Sequence, residues 1–521
     1  MFTDEDIRQI DDHGLTLKEV LRQLDFFNKP FGYLNLARPC TPGDGIKVVR
    51  AKGVRGFIET YEREAAQRDC LKFVPASGAA SRMFEALLGF LNSEKEIMLE
   101  PFTEKARGNK DARDVLEFME GIRKFAFFKD LKSVMAQSGL DIDPLLEKGQ
   151  FSEIIRFLLK RPGLDYSNLP KGLIKFHKYE QESRTAFEEH LVESASYVSD
   201  RNGRCRLHFT VSAEHMDQFM SLLEKRASIY EKRYGRSFDI TYSTQKGSTD
   251  TIAVDLKNSP FRLKNGRLLF RPGGHGSLIE NLNDLKGDIV FIKNIDNVVC
   301  DRMKPETFKW KKILGGCLIN LQSKVFGYLK ELTSVNPGDV FMGRVIEFMR
   351  DELCLSLTLA ETKAPASEKR EALIHLLNRP IRVCGMVKNV GEPGGGPFWV
   401  RDKSGRESLQ IVEMAQIDPA SKAHQNILSA STHFNPVDLV CSVSDFEGRP
   451  FDLRKYMDPT AVFIARKSKD GRELRALEHP GLWNGAMAKW ITVFVEVPIV
   501  TFNPVKTVND LLRKEHQPSF E

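Results

Sequence analysis

Short apolar runs separated by helical patterns constrain this chain most. RLHFTVSA (206–213), SFDITYS (237–243), RLLFR (267–271) and DIVFIKN (288–294) read as strands, and stretches such as AEHMDQFMSLLEKRASIYEKRYG (213–235) read as helices between them. Strands that alternate with helices are joined by crossovers, and crossovers build parallel pairs. The pattern therefore predicts an α/β fold around a mixed, mostly parallel, Rossmann-like sheet. Residues 1–66 read as a helical segment, and 67–301 as the nucleotide-sized α/β core with a charged helical insertion at 94–168. Residues 302–378 turn helical again. From 379 to 521 the chain is strand-rich, with IRVCGMV, PFWVRD, LQIVEMA, AVFIARK and ITVFVEV in succession.

Bulk properties narrow the function classes. The 521 residues suffice for two or three domains. A net charge of +6 from 77 basic and 71 acidic residues is too dilute for a nucleic-acid surface. The acidic opening MFTDEDIRQIDDHG has neither the basic nor the apolar region of a signal peptide. The apolar run ITVFVEVPIV (491–500) is too short to span a bilayer. A soluble, cytoplasmic protein with no membrane partner is the expectation. The eight cysteines are scattered without a CxxC pair, so neither a zinc site nor a disulfide framework is expected.

Four stretches carry candidate chemistry. PASGAASRM (75–83) runs from a strand through small residues into a helix, where backbone N–H groups can approach an anion and Arg82 offers a fork for phosphate oxygens. It matches neither a Walker loop nor a dinucleotide fingerprint. LPKGLIKFH (169–177) places Lys171 after a proline, at the start of a short strand. RPGGHGSLIENL (271–282) sets His275 after two glycines that let backbone approach a planar base. NIDN (294–297) ends an apolar strand with Asp296 between two amides, at the edge where open α/β sheets keep their ligands. Each stretch alone reads equally as a tight turn or a surface charge.

Taken in order, these motifs, with STQKGSTDT (243–251), resemble the UDP-sugar pyrophosphorylases, nucleotidyltransferases of the glycosyltransferase-A type. LQIVEMAQI (409–417) and HFNPVDL (433–439) are similar to that family's sugar-side segments, and FNPVKTVNDLL (502–512) is similar to its C-terminal lysine segment. The overall sequence looks closer to a bacterial branch named only as a domain of unknown function than to the enzymes of known substrate. The resemblance implies transfer of a nucleoside monophosphate, UMP from UTP, to a sugar 1-phosphate, with release of pyrophosphate and help from magnesium. It implies that Gly78, Ala79, Ser81 and Arg82 surround the triphosphate and that Lys171 and Lys506 neutralise phosphate charge. It assigns Gln245, Gly273, Gly274 and His275 to the nucleotide base, Glu413 and Asn435 to the sugar, and Asp296 to the metal.

The chemistry is consistent with that set. The second pKa of a phosphomonoester is about 6, so the nucleophile is already anionic near neutral pH and needs no general base. What remains is positioning and charge neutralisation. Magnesium is commonly held by one or two carboxylates plus phosphate oxygens, so one aspartate is enough. Departures from the family pattern are Ser77 and Ala80 at loop-glycine positions, Ile499 and Thr501 at arginine positions, and Asp438 at an amide position. They leave open a second reading, a non-catalytic nucleotide or nucleotide-sugar binding protein on the same fold.

Overall fold

The computed structural model describes residues 2–29, 32–93, 108–334, 337–391 and 394–518. The start of the 94–168 insertion and residues 392–393 of the glycine run lie outside them. The chain forms two compact units that interleave along the sequence. One comprises residues 1–73, 243–292 and 311–499; the other comprises 74–242, 293–310 and 500–521.

The first unit is built on the expected mixed, mostly parallel sheet. Its strand order is Thr41–Pro42, Gly45–Lys47, Ile491–Glu496, Ile381–Lys388, Asp438–Ser442, Ile289–Lys293, Cys70–Pro75. Ile289–Lys293 pairs in parallel with Cys70–Pro75, and Ile381–Lys388 in parallel with Ile491–Glu496. Asp438–Ser442 runs antiparallel to Ile381–Lys388. These strands are continuous apolar runs because both faces are covered: every residue of Ile289–Lys293 and of Asp438–Ser442 is buried. Buried charged residues interrupt the pattern at Lys72, Lys293, Arg382 and Asp438, and the last two show how such groups are held. Arg382 donates to the Thr492 hydroxyl at 2.8 Å and to the Trp483 carbonyl. Asp438, the acid at an amide position, is buried against the equally buried Lys311. A buried carboxylate is tolerated only with such a partner.

This unit also holds a four-stranded sheet of Phe270–Arg271, Thr251–Val254, Arg472–Glu478 and Phe463–Lys469, and a three-stranded one of Leu36–Pro39, Gly396–Arg401 and Glu407–Val412. The first two helices, Asp4–Asp12 and Leu17–Asn28, lay Ile10 and Val20 on Ile252 and Leu268. Gln9 pairs both its amide atoms with the backbone of Leu268, at 2.8 and 3.0 Å.

The second unit has its own core, with Phe84, Phe118, Phe127, Phe187, Phe209 and Val505 all fully buried. The described part of the insertion is helical, with helices Lys110–Glu120, Phe128–Gln137, Ile142–Glu147 and Phe151–Leu159. Helix Ala186–Tyr197 is buried almost throughout although its sequence, AFEEHLVESASY, is rich in charge. Each buried acid has a cation. Glu193 holds Lys293 at 2.7 Å, and Glu189 holds Lys304 at 2.6 Å and accepts from the His177 ring at 2.8 Å. His190 of the same helix bonds the carbonyl of Ile295 at 3.2 Å, so this buried helix supports the residue preceding Asp296. No described helix in the chain is long and apolar enough to cross a membrane.

Candidate phosphate and nucleotide sites

The sequence places Asp296, Lys171 and Lys506 far apart, and the second unit brings them together. Lys171 lies in a short 3-10 turn, Lys171–Leu173, just ahead of strand Lys175–Lys178. Its ammonium donates to Asp296 Oδ2 at 2.9 Å and to the carbonyl of Val505 at 2.8 Å. Lys506 Nζ approaches the same Oδ2 at 3.6 Å. Burial pushes the Asp296 carboxyl up, but the two ammonium groups outweigh it and hold the pKa below the ordinary carboxylate range. Asp296 is therefore ionised at neutral pH.

The asparagines of NIDN shape the turn. Asn297 Oδ1 accepts the backbone N–H of Asn503 at 2.9 Å, and the Val505 N–H donates to the Asp296 carbonyl at 3.1 Å. The C-terminal segment is thus bonded alongside the strand end, which carries Lys506 to the carboxylate. The acid fits a magnesium ion as far as donor chemistry goes. It is an ionised oxygen donor with both lysines on one of its two oxygens. Among the described residues no cluster of three acidic, His or Cys side chains exists, so phosphate oxygens would complete any coordination shell.

The loop 77–82 is exposed at Ser77, Gly78, Ala79, Ser81 and Arg82. It is tied to the Lys171 turn: Lys171 N–H donates to Gly78 O, and Ala80 N–H donates to Leu169 O, both at 3.0 Å. Ala80 itself is fully buried in a short 3-10 turn, Ala80–Arg82, so a methyl group fits where the family loop has glycine. A Cβ on Gly78 would meet no atom within 4 Å. Arg82 lines a cleft of about 280 Å³ with Lys110, Asp114, Thr507 and Asn509.

The base and sugar candidates lie in the first unit. His275 opens a 3-10 turn before helix Leu278–Asp284 and stacks on Trp483, with ring centroids 4.3 Å apart. Its Nδ1 accepts the N–H of Leu482 at 3.1 Å, which leaves the proton on Nε2. Nε2 faces Glu413 Oε1 at 3.8 Å. Burial lowers the His275 pKa to about 4, so the ring is a neutral donor at pH 7. Burial likewise raises the Glu413 carboxyl, and Asn484 opposes that rise.

Gln245 follows a strand end held by Asn281, which donates to Ser243 Oγ at 2.7 Å and to Thr244 O at 2.9 Å. Asn435 turns its Oδ1 to the N–H of Val437 at 3.1 Å and donates its own N–H to Gly395 O at 2.9 Å. A Cβ on Gly395 would lie 3.5 Å from Glu413 Cγ, so Glu413 and Asn435 flank one glycine. The glycines of the His275 loop have a reason within the chain. A Cβ on Gly273 would sit 2.3 Å from the His479 ring, one on Gly274 2.9 Å from Glu478 Oε2, and one on Gly276 2.2 Å from Pro480 O. Packing of the 479–480 segment therefore demands Gly273 and Gly276, and a φ of +77° demands Gly274, whether or not a base approaches.

The family model described as Domain of unknown function (DUF4301) matches residues 3–517. The chain belongs to that family. No curated protein matches the DUF4301 chain. Among solved structures it is similar to a uridine diphosphate N-acetylglucosamine pyrophosphorylase from Trypanosoma brucei, at 13% identity and TM-score 0.48, over 95% of this chain and 74% of that one. A UDP-glucose phosphorylase from the same organism matches at 13% identity and TM-score 0.43, over 98% and 80%. A UDP-glucose pyrophosphorylase variant from Leishmania major matches at 14% identity and TM-score 0.35, over 67% and 64%.

Several residues of the DUF4301 chain matter at these sites without having stood out in the sequence. The Val505 carbonyl holds Lys171, and a backbone acceptor has no sequence signature. Trp483 and Asn484 open the stretch 483–512 that ends in the lysine segment, and the family likeness gives neither a role. Asn484 is 1% exposed, close enough to Glu413 to favour its ionised form, yet neither of its amide atoms makes a hydrogen bond of good geometry among the described residues.

Proposed function

We propose that this chain is a sugar-1-phosphate nucleotidyltransferase of the uridylyltransferase type, acting with magnesium. The observation that carries the reading is the convergence of Lys171 and Lys506 on the ionised Asp296. Two cations around a single acid suit a polyphosphate transfer, in which charge must be neutralised and no proton must be removed.

In this reading an oxygen of the sugar 1-phosphate attacks the α-phosphorus of the nucleoside triphosphate. The new P–O bond forms as the α–β bridging bond breaks, and the electron pair leaves with pyrophosphate. Magnesium held through Asp296 supplies neutralisation of phosphate charge. Lys171, fixed by two acceptors, is a stationary cation. Lys506 has a side chain about half exposed and a looser contact, so it can move onto a phosphate oxygen. Backbone N–H groups of Gly78, Ala79 and Ser81, with the Arg82 side chain, take the triphosphate. Gln245 takes the base together with the backbone of Gly273 and Gly274; its Nε2 is buried without a partner among the described residues. His275 donates from Nε2 beside the nucleotide, and Glu413 and Asn435 accept sugar hydroxyl groups.

The experiment is pyrophosphate release from UTP with a panel of sugar 1-phosphates and magnesium. Turnover that disappears in Asp296→Ala is expected. Absence of turnover with every nucleotide, from folded protein, overturns the reading. Calorimetric nucleotide binding in that case would favour the non-catalytic alternative.

A further inference from the structure

The proposed chemistry leaves the helical insertion unused, and its helix Lys110–Glu120 docks on the segment that carries Lys506. Helix Lys110–Glu120 is capped by Asn109, whose side chain accepts the N–H of Ala112 at 3.2 Å. From the C-terminal segment, Asn509 Nδ2 donates to Asp114 O at 2.7 Å and to Glu117 Oε2 at 3.1 Å. Two acceptors on one nitrogen fix the amide orientation, because the flipped form would oppose oxygen to oxygen. One turn further on, the helix ends at Gly121, where a Cβ would stand 2.6 Å from Leu512 Cδ1.

Between these contacts and the ion pair there is little slack. Asp510, which is buried, accepts the backbone N–H groups of Lys506 and Thr507, each at 2.7 Å. Val508 N–H donates to Met83 O at 2.9 Å. Asn509 is therefore the side chain that links the Asp510 turn to the insertion helix, three residues from Lys506. Among the described residues the Lys506 ammonium has no second acceptor of the kind Lys171 has in Val505 O, so its position depends on its backbone.

We propose that Asn509 is a positioning residue for Lys506 and that the insertion exists at this point as a brace, holding the lysine over Asp296. The geometry of the brace stands on its own; its use in catalysis rests on the function proposed above. The test does not need a substrate. Amine acylation of Lys506, followed by mass spectrometry, reports how freely the ammonium leaves the carboxylate, with the exposed Lys225 as internal control.

Asn509→Ala is expected to speed labelling of Lys506 severalfold and leave Lys225 unchanged. Gly121→Ala, which displaces Leu512, should do the same to a smaller degree. In an Asp296→Asn background, where the ion pair is already gone, Asn509→Ala should add little. Unchanged labelling of Lys506 in both variants, or an equal rise at Lys225, would overturn the brace. If labelling behaves as expected and the wild-type protein turns over no nucleotide, the brace stands and the proposed function falls. With turnover present, Asn509→Ala should lower it severalfold, and the loss should vanish in a Lys506→Ala background.

Discussion

The Asp296 corner of the second unit and the His275 corner of the first belong to the same set of sequence motifs, yet they are held by different physics. At Asp296 charge decides the geometry: two lysines converge on one carboxylate, and a buried charge without a partner would be costly. At His275 packing and backbone decide it: the 479–480 segment fills the space that side chains on Gly273 and Gly276 would occupy, and Gly274 holds a φ of +77°. In the first corner the carboxylate is paired within the chain, by two ammonium groups. The second carries buried polar atoms without partners among the described residues, at Gln245 Nε2, Ser277 Oγ and the Asn484 amide. A self-paired cluster must exchange partners to take a ligand, whereas an unpaired amide gains by taking one.

That contrast can be broken most forcefully at Asp296. Asp296→Ala leaves the mostly buried Lys171 ammonium uncompensated and should lower stability by about 3–5 kcal/mol in denaturant titration. Adding Lys171→Met should restore much of the loss. No recovery in the double variant would mean that shape rather than charge holds this corner. On the other side, Gly276→Ala forces a methyl against the Pro480 carbonyl and should cost about 1–3 kcal/mol.

Acid separates the two corners next. His275 has a lowered folded pKa of about 4, so its contribution to stability is complete above its unfolded pKa of 6.5 and is lost as pH falls from there toward 4. The slope from this ring should be about 1 kcal/mol per pH unit. Asp296, with a depressed carboxyl pKa, keeps its contribution until pH falls below the ordinary carboxylate range. An NMR titration of the His275 ring checks this directly, and a midpoint near 6.5 would show that burial does not control it. The smallest effect is at the phosphate loop. Gly78→Ala meets open space and should change stability by less than about 0.5 kcal/mol. A fall in triphosphate affinity without a fall in stability would mark that glycine as a ligand contact.

Much of the architecture was legible in advance because strands and helices announce themselves locally. DIVFIKN and IRVCGMV are buried strands, each with a parallel neighbour, and continuous apolar character is what burial on both faces requires. AFEEHLVESASY was harder. Its acids suggest a wet helix face, but they are buried because Lys293, Lys304 and His177 arrive from elsewhere in the chain. The Asp296 motif was legible as a strand-end acid, while its partners were suggested only by family likeness. The glycines at 273 and 274 were read as room for a base, but the steric reason for Gly273 lies some 200 residues away at His479, and Gly274 holds a φ of +77°. The interleaving of two units also has no local signal, since the chain passes between them at 73, 242, 292, 310 and 499 without a linker-like composition at each crossing.

By itself the sequence determined the α/β class, the helical character of the described part of the insertion and the order of the four candidate motifs. These depend on periodicity and on residue type within a few positions. Only the tertiary structure decided that Lys171, 125 residues before Asp296, shares its oxygen with Lys506, and that Asn509 ties that lysine to the insertion helix. The reason is physical: a long-range ion pair is specified by how two packed backbones bring side chains to within a few ångströms, and no local pattern encodes that distance.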